Sequence, residues 1–597
     1  MEPNEKTDYT GATELIPLTE LDEDDICQDS QPIEADGTTE ENIGIEEFLP
    51  TPPDGGWGWV VVLASFMNHF IVDGISYAFG AFMLEYTEYF KSSAAKTSAL
   101  MSTLLGCYML SAPIAGALIN KFGCRPVGIA GSILAATSFF VCTFVSSIDA
   151  MLFLFGICGG IGFGFMYMPT IISVSMYFEK KRPLALGIAM CGTGVGTFAF
   201  APISKLLLKH YDWKGAHYIL AGVIMNGVLF SALMRPVLTK HDRKLRTDKQ
   251  KRQIVPVKKM EEKKANGLHP ASRVSNSLST KATNARAGMM SHPDLRTYEY
   301  GSRLHNSTVH FYHSTHRITS PKSASGLTVQ EAENLKRPLY KKDIFYSGSM
   351  YHLPEFRKAH NMQEYIVSTT SFPAAHTDAA PKTAFSCRCL PQQIADALSE
   401  MLDFNLLKEP SFIIFFVLSM LIMLPYFIPF AFCSVRAKQM GETRSEWLIS
   451  ILGISTMLGR LLSNVIALIP KIKAIYINNV FLLIAGVCCA AIPFTYSFIA
   501  TAAAAFFYGL FMGANIALTP IILVDLIGLD RLTTGYGLVT LSRGVSTFVG
   551  PPLAGQVYDY FSSYDIAFFA AGGLIVFCAM CFFLLELPGL KKSHTQN

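Results

Sequence analysis

Apolar runs long enough to cross a bilayer recur about twelve times along the chain, separated by short polar breaks. They lie near 59–84, 98–119, 126–147, 150–177, 184–208, 216–234, 411–435, 446–469, 474–496, 498–524, 534–556 and 566–586. An α-helix of about 20 apolar residues spans a hydrocarbon core of roughly 30 Å with its backbone groups satisfied internally. The pattern therefore predicts an all-α polytopic membrane protein with twelve transmembrane helices in two six-helix halves. It divides the chain into a tail over 1–53, a first half over 54–235, a long linker over 236–404, a second half over 405–588 and a short tail over 589–597.

Charge sharpens this division. The first 50 residues hold sixteen Asp or Glu against the single Lys6, the composition of a disordered acidic tail. That tail lacks the basic start and short apolar run of a signal peptide, so the first span is expected to direct insertion. Between Arg235 and Lys264 stand twelve Lys or Arg against four acidic residues, directly after the sixth span. The positive-inside rule then places the linker, and with an even span count both termini, in the cytoplasm. Charge in the shorter loops is nearly balanced and decides little.

Ser, Thr, Asn, His and charged residues dominate the linker, which reads as a mostly disordered connection. Asn306-Ser307-Thr308 fits the N-glycosylation pattern but, on the cytoplasmic side, is expected to stay unmodified. Ile394, Leu398, Met401, Leu402, Leu406 and Leu407 recur at helical spacing before Pro410, which suggests either a short interfacial helix or a local packing helix. The thirteen Cys fall mostly in apolar runs, without the spacing of a disulfide framework or zinc site. No phosphate loop, metal-ligand constellation or nucleophile–base pattern is present, so neither a cofactor nor catalysis is expected, and nothing points to nucleic acid.

Asp54-Gly55-Gly56-Trp57-Gly58-Trp59 opens the first span, and Tyr177-Phe178-Glu179-Lys180-Lys181-Arg182-Pro183-Leu184-Ala185-Leu186-Gly187 leads into the fifth. On these two motifs the chain resembles the monocarboxylate transporter family of the major facilitator superfamily, over roughly 51–235 and 405–588. Gly116 through Arg125 is similar to the superfamily's signature between spans two and three, departing at Asn120 and Cys124. Gly550-Pro551-Pro552-Leu553-Ala554-Gly555 resembles a late family segment whose small residues suit close helix contact. The resemblance implies a major facilitator fold, alternating access, a plasma-membrane location and, for some members, a single-span glycoprotein escort. Read as residues alone, Trp57 and Trp59 with Asp54, Gly55 and Gly56 form an interfacial anchor or a gate, while Lys180, Lys181 and Arg182 form a basic cap beside membrane lipid.

Arg460 is the sharpest chemical candidate, because a permanent charge inside span eight is unfavourable unless it faces a polar path or a counter-charge. A guanidinium can bind a carboxylate bidentately, and the resemblance places Arg460 at the family's substrate-associated arginine. Asn464, four residues on, shares its helical face. Asp73 within span one is a candidate for substrate or gate chemistry, or else for helix packing or an internal ion pair. Tyr77 belongs to the family-like segment Ser76–Ala81. Asp525 and Arg543 form a candidate ion-pair network. Ala81 stands where proton-linked lactate carriers of the family have Lys, and Thr456 where an acidic residue is frequent. These departures weaken direct assignment to proton–lactate symport. The expected function is movement of a small organic carboxylate or zwitterion, with proton-coupled lactate or pyruvate symport, or a non-transporting receptor, as alternatives.

Overall fold

A computed structural model describes residues 50, 52–238, 337–370, 398–399, 401–442, 444–467 and 472–586. The helices of the first half are α1 (Trp57–Tyr77), α2 (Met83–Phe90), α3 (Ala94–Leu110), α4 (Ala112–Phe122), α5 (Cys124–Val141), α6 (Ile148–Tyr177) and α7 (Arg182–Leu233). Two short helices, α8 (Pro354–Lys358) and α9 (Met362–Thr369), lie in the linker. The second half holds α10 (Pro410–Tyr426), α11 (Ile428–Gln439), α12 (Trp447–Ile466), α13 (Ala474–Ala491), α14 (Phe498–Ile527), α15 (Leu532–Phe561) and α16 (Asp565–Phe582).

Among the described residues nine helices are long and apolar enough to cross a membrane, and α3 with α4 makes a tenth, bent by 41°. Two more crossings complete the expected twelve. The 52-residue α7 breaks at Asp212 (φ 56, ψ −176), whose Oδ1 accepts from the Gly215 amide at 2.8 Å and so caps the segment that follows. The 30-residue α15 is as long as α14 but carries Ser542, Arg543, Ser546 and Thr547, buried within the protein rather than facing lipid. Capping marks other helix starts: the Ser93 and Ser497 side chains accept from the amides of Lys96 and Ala500.

The two halves meet along two seams, α3 against α15 and the first part of α7 against α12. At the end of the bundle away from the linker, Asp559 accepts from the amides of Ala94 and Ala95 at 2.9 and 3.0 Å, and Lys205 pairs with Glu446 at 2.7 Å. Ser98 Oγ donates to the Pro551 carbonyl and Ser450 Oγ to that of Phe198. The family-like 550–555 segment reaches this contact through Gly555, which faces Ala95, while Gly550 packs on Leu424 within the second half.

The linker departs from expectation over 337–370, which is folded and buried against the helix bundle. Its Leu339, Ile344, Phe345, Tyr346, Met350, Leu353, Tyr365 and Ile366 are all under 4% exposed. Their irregular spacing follows turns and 3-10 segments rather than one helix, and so carries no simple periodic signal. Met401 is fully buried beside Gly116 and Gly537, which favours the local-packing reading of the segment before Pro410. Ile394, Asn306, the acidic tail to residue 49 and the basic run beyond Leu238 lie outside the described residues.

Candidate functional site

A narrow central cavity of about 60 Å³ lies between the halves, and Asp73, Tyr77, Tyr108, Tyr167, Arg460 and Arg543 line it. Asp73 and Tyr77 come from α1, Tyr108 from α3, Tyr167 from α6, Arg460 from α12 and Arg543 from α15. Helices from both halves therefore converge on one polar spot.

Close helix approach places the charges there. A Cβ at Gly459 would lie 1.8 Å from the Leu510 carbonyl oxygen, so glycine lets α12 press against α14 and fixes the neighbouring Arg460. A Cβ at Gly74 would meet Phe200 and the Gly196 backbone within 2.9 Å, so α1 seats Asp73 by packing tightly on α7.

Asp73 is 2% exposed and accepts from Thr193 Oγ1 at 2.6 Å and from the Tyr108 hydroxyl at 3.3 Å. It does not join its sequence neighbours: Asn68 Nδ2 donates to Ser231 Oγ, and His69 Nε2 lies 3.2 Å from Thr170 Oγ1. Arg460 is 6% exposed and its Nε lacks a hydrogen-bond partner, while the Tyr426 hydroxyl lies close to the same side chain. Unsatisfied buried donors are rare and point to a missing partner. Asn464 sits with Arg460 on the wall of an adjoining space of about 30 Å³, and its Oδ1 is also unpartnered.

The proposed Asp525–Arg543 pair is replaced by other contacts. Arg543 Nη2 donates to Asn515 Oδ1 at 3.1 Å and to Thr519 Oγ1 at 2.7 Å, whereas Asp525 bears on the phenol of Tyr346. Tyr508, fully buried, donates to the Tyr426 carbonyl and belongs to the core. The Thr456 hydroxyl donates to the Gly453 carbonyl at 2.8 Å within its own helix. Tyr77 packs on Phe427 and Phe430 with ring centroids 5.5 and 5.2 Å apart, at the side of the cavity away from the linker. Beyond it opens a vestibule of about 450 Å³ lined by Ala81, Glu85, Lys205, Lys209, Lys438 and Glu442. Ala81 thus borders this vestibule.

The two family-like motifs form one unit on the linker side. Asp54 Oδ1 accepts from the Glu179 amide at 2.7 Å and the Lys181 amide at 3.4 Å, while the Asp54 amide donates to the Tyr177 carbonyl. Trp59 packs on Phe178 at 5.0 Å, and the Arg235 guanidinium lies 4.0 Å from the Trp57 ring centroid. Gly55 and Gly56 make the turn that precedes α1, with Gly56 at φ 55. Lys180 and Lys181 are exposed, as a cap requires, but Arg182 is not. It is fully buried, donating to Glu179 Oε1 at 2.9 Å and to Asp343 Oδ2 at 3.0 Å, and Lys341 Nζ reaches Glu179 Oε2 at 2.6 Å. The sequence reading missed this because the acidic partner Asp343 lies 161 residues away in a segment that looks like linker. Burial alone would raise the Asp343 carboxyl, but the charges of Arg182 and Lys341 hold it down to about 2.

Tyr108, Tyr167, Thr193 and Tyr536 also escaped sequence reasoning, since a lone hydroxyl in an apolar helix is compatible with ordinary packing. Their one shared signal is position on the helix faces that turn toward Asp73 and Arg460.

The Major Facilitator Superfamily model matches residues 61–500 and 411–597. Monocarboxylate transporter 2 of Rattus norvegicus is 26% identical over 88% of this chain and 83% of its own. Monocarboxylate transporter 9 of Pongo abelii is 26% identical over 92% and 96%, and monocarboxylate transporter 12 of Xenopus laevis 25% over 92% and 92%. Among solved structures the nucleoside transporter NupG matches with a TM-score of 0.51 at 11% identity, covering 89% of this chain and 100% of its own. The xylose transporter XylE from E. coli, in a partially occluded inward open conformation, matches over the same shares at 0.50 and 11%. The chain belongs to the major facilitator superfamily and is a membrane transporter rather than an enzyme, with curated relatives that carry the monocarboxylate transporter name.

Proposed function

We propose that the protein carries a small organic carboxylate across the membrane by alternating access, with Arg460 as the carboxylate-binding group. The observation that supports this most directly is the buried Arg460 side chain, whose Nε has no partner although it lines a cavity between the two halves. A bound carboxylate supplies the missing acceptor bidentately and offsets a charge that the low-dielectric interior otherwise disfavours. Asp73 is the fixed counter-charge, held by Thr193 and Tyr108, and Tyr77 closes the cavity toward the vestibule. Asn464 offers a second polar contact toward the linker side. A zwitterion would use the same arginine, with Asp73 facing its ammonium.

Transport follows when the halves rock so that the cavity opens alternately toward the vestibule and toward the linker. The basic run after the sixth span favours a cytoplasmic linker and cytoplasmic termini. The plasma membrane, surrounding lipid and a single-span escort are expected from the family resemblance. The names of the curated relatives favour an organic acid over a sugar or nucleoside.

The test is uptake into liposomes by purified protein, normalised to reconstituted protein, from a mixture of small metabolites that includes lactate, creatine, carnitine and aromatic amino acids. Arg460→Ala should raise the substrate concentration needed for half-maximal flux by about tenfold to a hundredfold, the equivalent of a lost charge-assisted hydrogen bond. Unchanged flux and concentration dependence would remove Arg460 from the role. Binding without sustained flux would favour the receptor alternative.

A further inference from the structure

Two guanidinium groups and one carboxylate line the central cavity, so its charges do not cancel. Arg543 is 7% exposed, and its Nη2 donates to neutral acceptors, Asn515 Oδ1 and Thr519 Oγ1. Asn515 is itself held by donating from Nδ2 to Asn478 Oδ1 at 2.9 Å. These contacts orient the guanidinium without neutralising it. Asp73, the carboxylate on the same wall, already accepts from two hydroxyls.

Resting on the carboxylate reading of Arg460, we propose that Arg543 sets substrate specificity by demanding net negative charge. The preferred substrate is an organic anion with a carboxylate at one end and a second acceptor, such as a hydroxyl, keto or carboxylate oxygen, at the other. With Asp73 ionised, one positive charge is left over, and an anion cancels it. A zwitterion has no net charge and leaves a buried cation uncompensated. Its ammonium, even beside Asp73, would share the same small space with Arg543.

Matched hydroxy and amino acids separate these cases, because lactate and alanine, or phenyllactate and phenylalanine, differ by hydroxyl against ammonium on one skeleton. In reconstituted liposomes the wild type should carry the hydroxy acid of a pair at least tenfold better. Arg543→Gln should bring the ratio towards one, and Arg543→Lys should keep it. A merely structural arginine would lower both fluxes together and leave the ratio alone. That result, or a wild type that prefers the amino acid, overturns the proposal. The wild-type ratio and the Lys variant stand even if the Gln variant does not fold. Failure of the underlying reading shows separately, as flux that survives Arg460→Ala.

A different observation carries a second inference. Within 337–370, Phe345 stacks on Tyr536 with centroids 4.9 Å apart and planes at 16°, and Tyr536 lines the central cavity. Phe345 and Ser347 also wall the adjoining space that holds Arg460, Asn464 and Cys191. The segment is bonded to both halves. Asp343 and Lys341 bind Arg182 and Glu179, and the Leu339 amide donates to Asn120 Oδ1 in the first half. Ser347 Oγ donates to the Ala517 carbonyl and Lys342 pairs with Asp530 at 2.8 Å in the second.

We infer that this linker segment is a built-in plug that must leave before the cavity opens on the linker side, since one segment tied to both halves opposes their separation. Cys191 reports on it, because that thiol lies behind the plug. Phe345→Ala and Asp343→Asn should each speed labelling of Cys191 tenfold or more by a membrane-impermeant maleimide added from the linker face. Cys191→Ser assigns the signal. Unchanged labelling, with the segment shown by protease cleavage to have detached, overturns the inference.

Discussion

Replacing Asp343 with Asn tests the buried ion network with a change that nearly preserves shape. Asp343 meets Arg182 at 3.0 Å and Lys341 at 4.0 Å, and the side chains of Arg182, Asp343 and Glu179 are all fully buried. At an effective dielectric of about 20, two charges at that shorter distance attract by about 5.5 kcal/mol before desolvation is counted. Removing one member of a buried pair leaves its partner uncompensated, which costs about 3–5 kcal/mol. Two contacts temper the loss: Arg182 still donates to the Asp343 backbone carbonyl at 2.7 Å, and the Tyr365 hydroxyl at 2.8 Å can donate to the Asn oxygen. The lower figure of about 3 kcal/mol is therefore expected, or roughly a hundredfold more of the undocked segment. Hydrogen exchange measures this directly. Amides of 338–370 should lose protection by about that factor, while those of α1 and α12 keep theirs. The wild-type contribution has a defined pH window. The carboxyl is lowered from 3.8 to about 2, so its stabilisation is fully present above pH 3.8 and lost as pH falls through about 2. Near neutral pH the Asp343 contribution is therefore constant, and any dependence there belongs to Glu179, whose carboxyl burial pushes up. Unchanged protection in Asp343→Asn would refute the electrostatic argument.

Three further outcomes are expected. Asp73→Asn keeps the contacts to Thr193 and Tyr108 within reach but deletes the counter-charge, so substrate flux should fall about tenfold or more at equal reconstituted protein; retained flux would assign Asp73 to packing. Gly459→Ala should lower thermal stability by about 1–3 kcal/mol through overpacking against Leu510, read as a drop in melting temperature in detergent, and an unchanged value would contradict the close approach of α12 and α14. Simultaneous substrate and interior-pH measurement in liposomes should show no obligatory proton for each substrate, because Ala81 borders the vestibule and Thr456 bonds within its helix; a reproducible one-to-one flux would make Asp73 the group to substitute next.

Much of the architecture was determined by the sequence alone, because the bilayer imposes a one-dimensional rule: about 20 apolar residues per crossing, whatever the neighbours. Arg460 and Asp73 stood out for the same reason, since a charge inside an apolar run is unfavourable unless something local answers it. Even the break between the fifth and sixth spans was legible as a polar gap, although not that it would fall at Asp212, whose non-helical backbone separates the two helices. Tertiary structure decided which side chains meet. Asp73 is met by Thr193 and Tyr108, 120 and 35 residues away, rather than by its neighbours His69 and Asn68. Arg543 turned to Asn515 and Thr519, and Arg182 left the lipid surface for a carboxylate 161 residues distant. Helical periodicity specifies a face but not the helix that will cover it, and a charged stretch such as Lys341–Asp343 reads as solvated until its buried partners are known. Convergence of two halves on one cavity, and of a linker segment on its mouth, arises from close packing in three dimensions, which no local pattern encodes.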